Sequence, residues 1–226
     1  HGFVVDGNGK KMSKSAGNVV APQEVINKYG AEILRLWAAA SDYRDDVRVS
    51  DEILCHLAEA YRKIRNTCRF LLGNLYDFDP DTDLVPYKNL TEIDRWALHS
   101  LQILIEKAKR GYSEFEFHLV FHSLNNFCAV EMSSFYLDIL KDRLYTAKKD
   151  SLERRSSQTA LYQILLSLTK LMAPLLSFTA EELWEYLPKQ KSKVRSQESG
   201  ESVYMSRFPE VDEQYKDQDL GLKWER

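Results

Sequence analysis

Two lysines and two serines fall within five residues, Lys11-Met12-Ser13-Lys14-Ser15. An ammonium group is a compact point charge that can follow a polyphosphate whose charge moves during reaction. It is worth most where that charge develops. The pattern differs from Gly-x-x-x-x-Gly-Lys-Ser/Thr, which cradles phosphate on backbone amides. Here the side chains must do the holding. A lysine–serine cluster alone reads as a solvated turn, because short motifs match by chance. Its surroundings separate the two readings.

The stretch His1-Gly2-Phe3-Val4-Val5 alternates as a strand, and Asp6-Gly7-Asn8-Gly9 is a strong turn. Gly7, Gly9 and Gly17 let the backbone around the lysines bend cheaply. Asn18-Val19-Val20-Ala21-Pro22 then leads into a helical pattern through Val25, Ile26 and Tyr29. Gly30 separates that helix from another near residues 31–40, and Asp46-Val47-Arg48-Val49-Ser50 alternates as a second short strand. Strand, glycine turn, basic loop and helix in that order put the lysines at a strand end, where open α/β sheets bind ligands.

The chain has 226 residues, 44% of them hydrophobic, and a net charge of −3. That supplies a real core and excludes a uniformly basic nucleic-acid binder, so any RNA contact rests on local patches. Cys55, Cys68 and Cys128 show no metal spacing, and an odd, scattered count fits a reducing cytosol. No signal peptide and no apolar run long enough to span a bilayer is visible, so no membrane partner is expected. His1 falls in mid-strand without a methionine, which reads as a piece of a longer protein.

From Ser50 onward the pattern is helical. Ser50 is a candidate N-cap, with Asp51 and Glu52 in the first turn. Leu54, Leu57, Tyr61, Ile64, Cys68, Leu71 and Leu75 form one apolar seam. Gly73 and Asp79-Pro80 signal its end. Residues 77–89 link to a second long helix, opened by a Thr91/Asp94 capping box and running through Trp96, Leu101, Leu104, Ile105 and Ala108. A third is expected over about 117–144, inside the bundle, and a fourth over about 154–172. Thr179 and Glu182 read as another capping box before a short helix through Trp184. Residues 189–202 read as a basic, mobile surface segment carrying Lys189, Lys191, Lys193 and Arg195, and Val203-Tyr204-Met205 as a short strand. The fold class is therefore mainly α: a small α/β remnant followed by an antiparallel helix bundle. The expected divisions are 1–50, 51–188 and 189–226.

Arg62, Arg65 and Arg69 make a basic stripe on a different face from the apolar seam. Lys141, Arg143, Lys148, Lys149, Arg154 and Arg155 crowd one helix end and the loop after it. Such clusters neutralise phosphate and release counterions. Tyr145 and Tyr162 are candidates for stacking on unpaired bases. Each item has a plainer reading: an arginine stripe is often a solvated face, and Asn66 and Arg69 could brace the bundle instead. His99, His118 and His122 are expected to be structural. Trp96 and Trp184 are expected as core anchors. Asp45-Asp46 and Glu181-Glu182 read as loop and cap charges.

These residues carry a resemblance. The chain resembles the class I aminoacyl-tRNA synthetases, and among them the bacterial-type isoleucine enzymes. The likeness runs through Lys11-Met12-Ser13-Lys14-Ser15, Tyr29-Gly30-Ala31-Glu32-Ile33-Leu34-Arg35-Leu36-Trp37 and Asp46-Val47-Arg48. It continues through Arg65-Asn66-Thr67-Cys68-Arg69-Phe70, Asp94-Arg95-Trp96-Ala97-Leu98 and Phe178-Thr179-Ala180-Glu181-Glu182-Leu183-Trp184. The lysine loop fixes only the class, whereas the string from Trp37 to Arg48 looks most like the isoleucine enzymes.

The resemblance implies a parent enzyme that joins isoleucine to ATP and transfers the acyl group to tRNA. Lys11, Met12, Ser13, Lys14 and Ser15 would form the ATP loop, with Lys11 and Lys14 acting on the phosphates and magnesium accompanying the ATP. The helical part would be the anticodon-binding bundle, and the protein a cytoplasmic monomer. The family's His-Ile-Gly-His motif, amino-acid pocket and editing domain are expected upstream of His1. A zinc-binding cysteine cluster is expected only beyond this chain. The fragment alone is thus expected to be inactive. A valine-type enzyme and a non-catalytic helical RNA-binding module are the alternatives.

Overall fold

The computed structural model describes residues 1–190 and 201–224. The basic run at Lys191, Lys193 and Arg195 lies outside the described residues.

The first part is a small α/β unit. Strand β1 (Val4–Asp6) pairs in parallel with β2 (Val47–Val49), with Val5 opposite Arg48. Between them run α1 (Pro22–Tyr29) and α2 (Ala31–Ala40). Val25, Ile33, Val49 and Leu54 form a minor core beneath this unit, and Met12, Val20 and Trp37 pack against it. Trp37 also donates its indole N–H to the Arg48 carbonyl at 2.8 Å, which ties α2 to β2.

The rest is helical. Ser50 caps α3 (Asp51–Gly73), its hydroxyl accepting from the Ile53 amide, and the expected seam is buried at Leu54, Ile64, Cys68 and Leu71. Helix α4 (Glu92–Ser113) turns through three residues into α5 (Phe117–Asn126). That turn holds Phe115 at φ 58°, a left-handed conformation that costs a bulky residue energy. The helix expected over 117–144 is not continuous α. Its middle, Phe127–Tyr136, is a π-helix before α6 (Leu137–Thr146). The wider turn is held from α3, where the Thr67 hydroxyl lies 3.2 Å from the Cys128 carbonyl and 2.8 Å from the Ser133 hydroxyl. Helix α7 (Leu152–Met172) is buried nearly all round and packs against α3, α4 and α6. Helix α8 (Ser177–Tyr186) follows.

Two capping expectations need correction. Thr91 does sit at the N-cap of α4, but Asp94 does not reach back to its amide. Asp94 is fully buried and accepts from the hydroxyls of Tyr136 (2.7 Å), Thr91 (2.8 Å) and Ser156 (2.6 Å). With the Ser157 hydroxyl at 3.4 Å, four hydroxyls from three elements satisfy a carboxylate that burial would otherwise penalise. Thr179 is not a cap at all. It lies inside α8 and bonds the Tyr61 hydroxyl at 2.9 Å.

The C-terminal segment also departs from expectation. Val203-Tyr204-Met205 is a single 3-10 turn rather than a strand. Val203 and Leu220 are buried in the main core, and Trp224 of α9 (Gln218–Trp224) lies 6.5 Å from Trp96. Residues 203–205 pack against α7 and α8, and residues 213–224 against α4.

Candidate phosphate loop and nucleic-acid interface

The lysine loop is built from β1 outward. Gly9, at φ 78°, closes the turn with its amide on the Asp6 carbonyl at 2.9 Å. The chain then comes back so that Lys11 bridges Val5 in antiparallel fashion. The Asp6 carboxylate accepts from the amides of Asn8 (3.0 Å) and Lys10 (2.8 Å) and from the Asn18 side chain (2.8 Å). The Asn18 bond foremost, then the Lys10 amide, holds the Asp6 carboxyl below the usual aspartate range. Asn18 in turn accepts from the Ser13 amide at 2.9 Å and donates to the Lys11 carbonyl at 3.3 Å. One aspartate and one asparagine thus pin both ends of the loop.

Within the five residues the roles divide. Met12 turns inward onto the minor core. Ser13 caps a 3-10 turn over Lys14–Ala16, accepting from the Ala16 amide at 3.2 Å, and its hydroxyl lies 3.2 Å from that of Ser15. Gly17, at φ 67°, ends the turn. Lys11 and Lys14 stay exposed and form no ion pair among the described residues. Lys10, which sequence reasoning passed over, adds a third exposed ammonium beside them. The arrangement is a fixed backbone carrying uncommitted positive charge, which suits a polyphosphate.

The expected RNA-facing residues separate into two groups. Arg62, Arg65 and Arg69 are exposed along α3. Among the described residues Arg62 pairs only with exposed Glu59, at 2.6 Å, and such a surface pair holds weakly. Lys148 and Lys149 are exposed, Lys141 is exposed beside Asp138 at 2.7 Å, and Tyr145 is 65% exposed. Arg143 is half-buried and donates to the Thr91 hydroxyl at 2.9 Å.

Three residues are corrected. Arg154 is 4% exposed and bonds both oxygens of Asp77, at 2.7 and 3.0 Å. Arg155 is held by Asp83 at 3.2 Å, the Asp77 carbonyl at 3.0 Å and Gln158 at 2.8 Å. Both guanidiniums stitch the 77–83 connection to α7 and are not available to phosphate. Tyr162 is 5% exposed and packs on Phe78 at 5.6 Å between ring centroids, so it is no stacking platform. The histidine expectation holds for His99, whose Nδ1 accepts from the Asp217 amide at 3.0 Å. Trp96 and Trp184 are buried.

Sequence reasoning missed what joins the lysine-loop unit to the bundle. Glu32 of α2 accepts from the Phe178 amide at 2.6 Å and the Thr179 amide at 3.4 Å, capping α8 from outside. Arg35, one turn along α2, donates to the carbonyls of Pro174 (2.8 Å) and Leu175 (3.3 Å), just past the end of α7. The carboxylate faces a helix N-terminus and the guanidinium faces carbonyls beyond a helix C-terminus, so both charges suit the helix dipoles. Lys28 and Tyr29 of α1 add bonds to Asp51 at the start of α3. Only the i, i+3 spacing of an acid and a base in α2 could have hinted at this.

The lysine loop at a strand end, with a helix bundle behind it, defines a class. Residues 1–50 match the family "tRNA synthetases class I (I, L, M and V)". Residues 94–225 match "Anticodon-binding domain of tRNA ligase", and the chain belongs to that family. Among particular proteins, its sequence is similar to isoleucine-tRNA ligases. That of Geobacter sulfurreducens is 62% identical over 226 residues, covering 100% of this chain and 24% of the relative. That of Syntrophotalea carbinolica is 56% identical over 225 residues, covering 23% of its length. The chain therefore spans about a quarter of the curated relatives it matches. A ternary complex of Agrobacterium radiobacter K84 agnB2 LeuRS with tRNA and LeuAMS superposes with a TM-score of 0.71 at 19% identity. The match covers 96% of this chain and 24% of that one, and it shows a shared fold.

Proposed function

We propose that this chain is the segment of an isoleucine-tRNA ligase that closes on ATP through its lysine loop and holds tRNA on its helix bundle. The observation that carries the reading is the pair Lys11 and Lys14, exposed and without ion-pair partners among the described residues, on a loop braced by Asp6 and Asn18. The 62% identity to an isoleucine-tRNA ligase along the full chain supports the choice of amino acid. In this reading the parent enzyme joins isoleucine to ATP, with magnesium, and passes the acyl group to tRNA. Residues 1–50 belong to the catalytic half and the remainder to the tRNA-binding half.

The lysines place positive charge at the α-phosphate and the departing pyrophosphate, where negative charge builds in the transition state. Contacts made mainly in the transition state act on turnover more than on ground-state affinity. In the whole ligase, Lys14→Ala lowers isoleucine-dependent ATP–pyrophosphate exchange by roughly 100- to 1,000-fold in kcat, with a smaller change in KM for ATP. Valine-dependent exchange exceeding isoleucine-dependent exchange would point to the valine-type alternative. Undiminished exchange in Lys14→Ala would remove the loop from the chemistry. The isolated chain, which spans about a quarter of its relatives' length, is expected to show no exchange.

A further inference from the structure

Across from the arginine stripe of α3 stands a second row that the sequence did not single out. Phe178, Glu182 and Tyr186 lie at i, i+4 and i+8 of α8, on one face, and the two rings are 65% and 64% exposed. Two clefts run end to end between the helices. One, of about 560 Å³, is lined by Arg62 and Arg65 on one side and Phe178 and Glu182 on the other. The next, of about 230 Å³, is lined by Arg65 and Arg69 against Glu182 and Tyr186. Arg65, Thr179 and Glu182 are common to both, so the clefts form one groove. At a rise of about 1.5 Å per residue, the arginine row is about 10 Å long and the ring row about 12 Å.

We infer that this α3–α8 groove seats unpaired nucleotides of the RNA, with phosphates on Arg62, Arg65 and Arg69 and bases against Phe178 and Tyr186. This deepens the tRNA-binding reading above and rests on it. The charge fits: Arg65 and Arg69 form no ion pair among the described residues, and the Arg62–Glu59 pair is solvent-exposed. The shape selects unpaired rather than duplex RNA, because a ring stacks only on a base that has left its helix. Glu182 between the rings is an acceptor without a positive charge of its own. It would repel a phosphate placed there but accept from the exocyclic amine of a base, so it favours the order phosphate on α3, base on α8.

The test uses the whole ligase and its isoleucine tRNA, with binding measured across a salt series and the melting temperature recorded for each variant. Phe178→Leu and Tyr186→Leu keep an apolar side chain but remove the ring. Each is expected to weaken tRNA binding roughly 5- to 100-fold with the salt slope unchanged, and Phe178→Trp to restore it. Arg65→Gln is expected to reduce the log–log salt slope by about one. A tRNA with an abasic nucleotide at each unpaired position in turn should lose affinity for the wild-type enzyme at one position or more, with no further loss at that position in the leucine variants. Leucine variants that bind tRNA within twofold of wild type overturn the proposal. If they also melt earlier, another part of the protein covers the groove. A wild-type ligase that binds no tRNA at all would instead defeat the underlying reading.

Discussion

Arg35 donates to the Ser177 hydroxyl at 2.7 Å across 142 positions of sequence. With Glu32 it grips the junction of α7 and α8 and couples the lysine-loop unit to the bundle. Arg35→Met keeps the aliphatic stem and deletes the donors. It is expected to cost about 1–2 kcal/mol, the lower range for charged hydrogen bonds because the site is partly exposed. For a chain of this size that lowers the melting temperature by roughly 2–8 °C. Circular dichroism melts of the chain check it, and an unchanged midpoint would show that the grip adds nothing to stability.

The loop brace can be tested apart from the lysines. Asn18→Ala removes the bonds to Asp6, Ser13 and Lys11 while leaving both ammonium groups in place. A small misplacement of a catalytic group is expensive, so exchange turnover in the whole ligase is expected to fall roughly 10- to 100-fold. The melting temperature should barely move, since the loop lies at the surface. Normal turnover in this variant would mean that the lysines find their geometry from ATP alone.

The buried pair Asp77–Arg154 makes a stability prediction with a definite pH window. Both side chains are about 5% exposed, and Arg154 foremost holds the Asp77 carboxyl down to about 2. Asp77→Ala strands a buried guanidinium and is expected to cost about 3–5 kcal/mol. The folded-state value lies below the unfolded value of about 3.9, so the contribution is complete above roughly pH 4. It is lost as pH falls through the folded value near 2. Urea titrations between pH 6 and 2 should show this loss in the wild type and a flatter profile in Asp77→Asn. A profile of equal steepness in both would remove the pair as its cause.

Gly111 inverts a familiar rule. Glycine to alanine inside a helix ordinarily stabilises by about 1 kcal/mol. Here a Cβ would meet Val120 Cγ2 at 2.7 Å and the Glu116 carbonyl at 3.3 Å, because α5 folds back tightly on α4. Gly111→Ala is therefore expected to destabilise by roughly 1–3 kcal/mol. Val120→Ala in the same chain should make the substitution less costly than it is alone, and denaturant midpoints of the four variants read the coupling.

Much of the molecule was legible from local patterns. The Ser50 cap and the α3 seam could be read because both depend on residues within a turn or two of one another. Residues 11–15 could be placed in an exposed loop after a strand because glycines flank them on both sides. Arg154, Arg155 and Tyr162 misled because their types say nothing about depth. Asp77 and Phe78, more than seventy positions away, draw them inward. The π-helix was invisible because its wide turn answers to Thr67 on another helix.

The amino-acid order by itself determined the loop that carries the lysines and the run of amphipathic helices behind it. Only the tertiary structure decided where α8 begins, which arginines face water, and that Phe178 and Tyr186 stand across a groove from Arg62, Arg65 and Arg69. Periodicity records which side of a helix is apolar. It holds no record of which carboxylate, 146 residues away, will take up the orphan amides at a helix end.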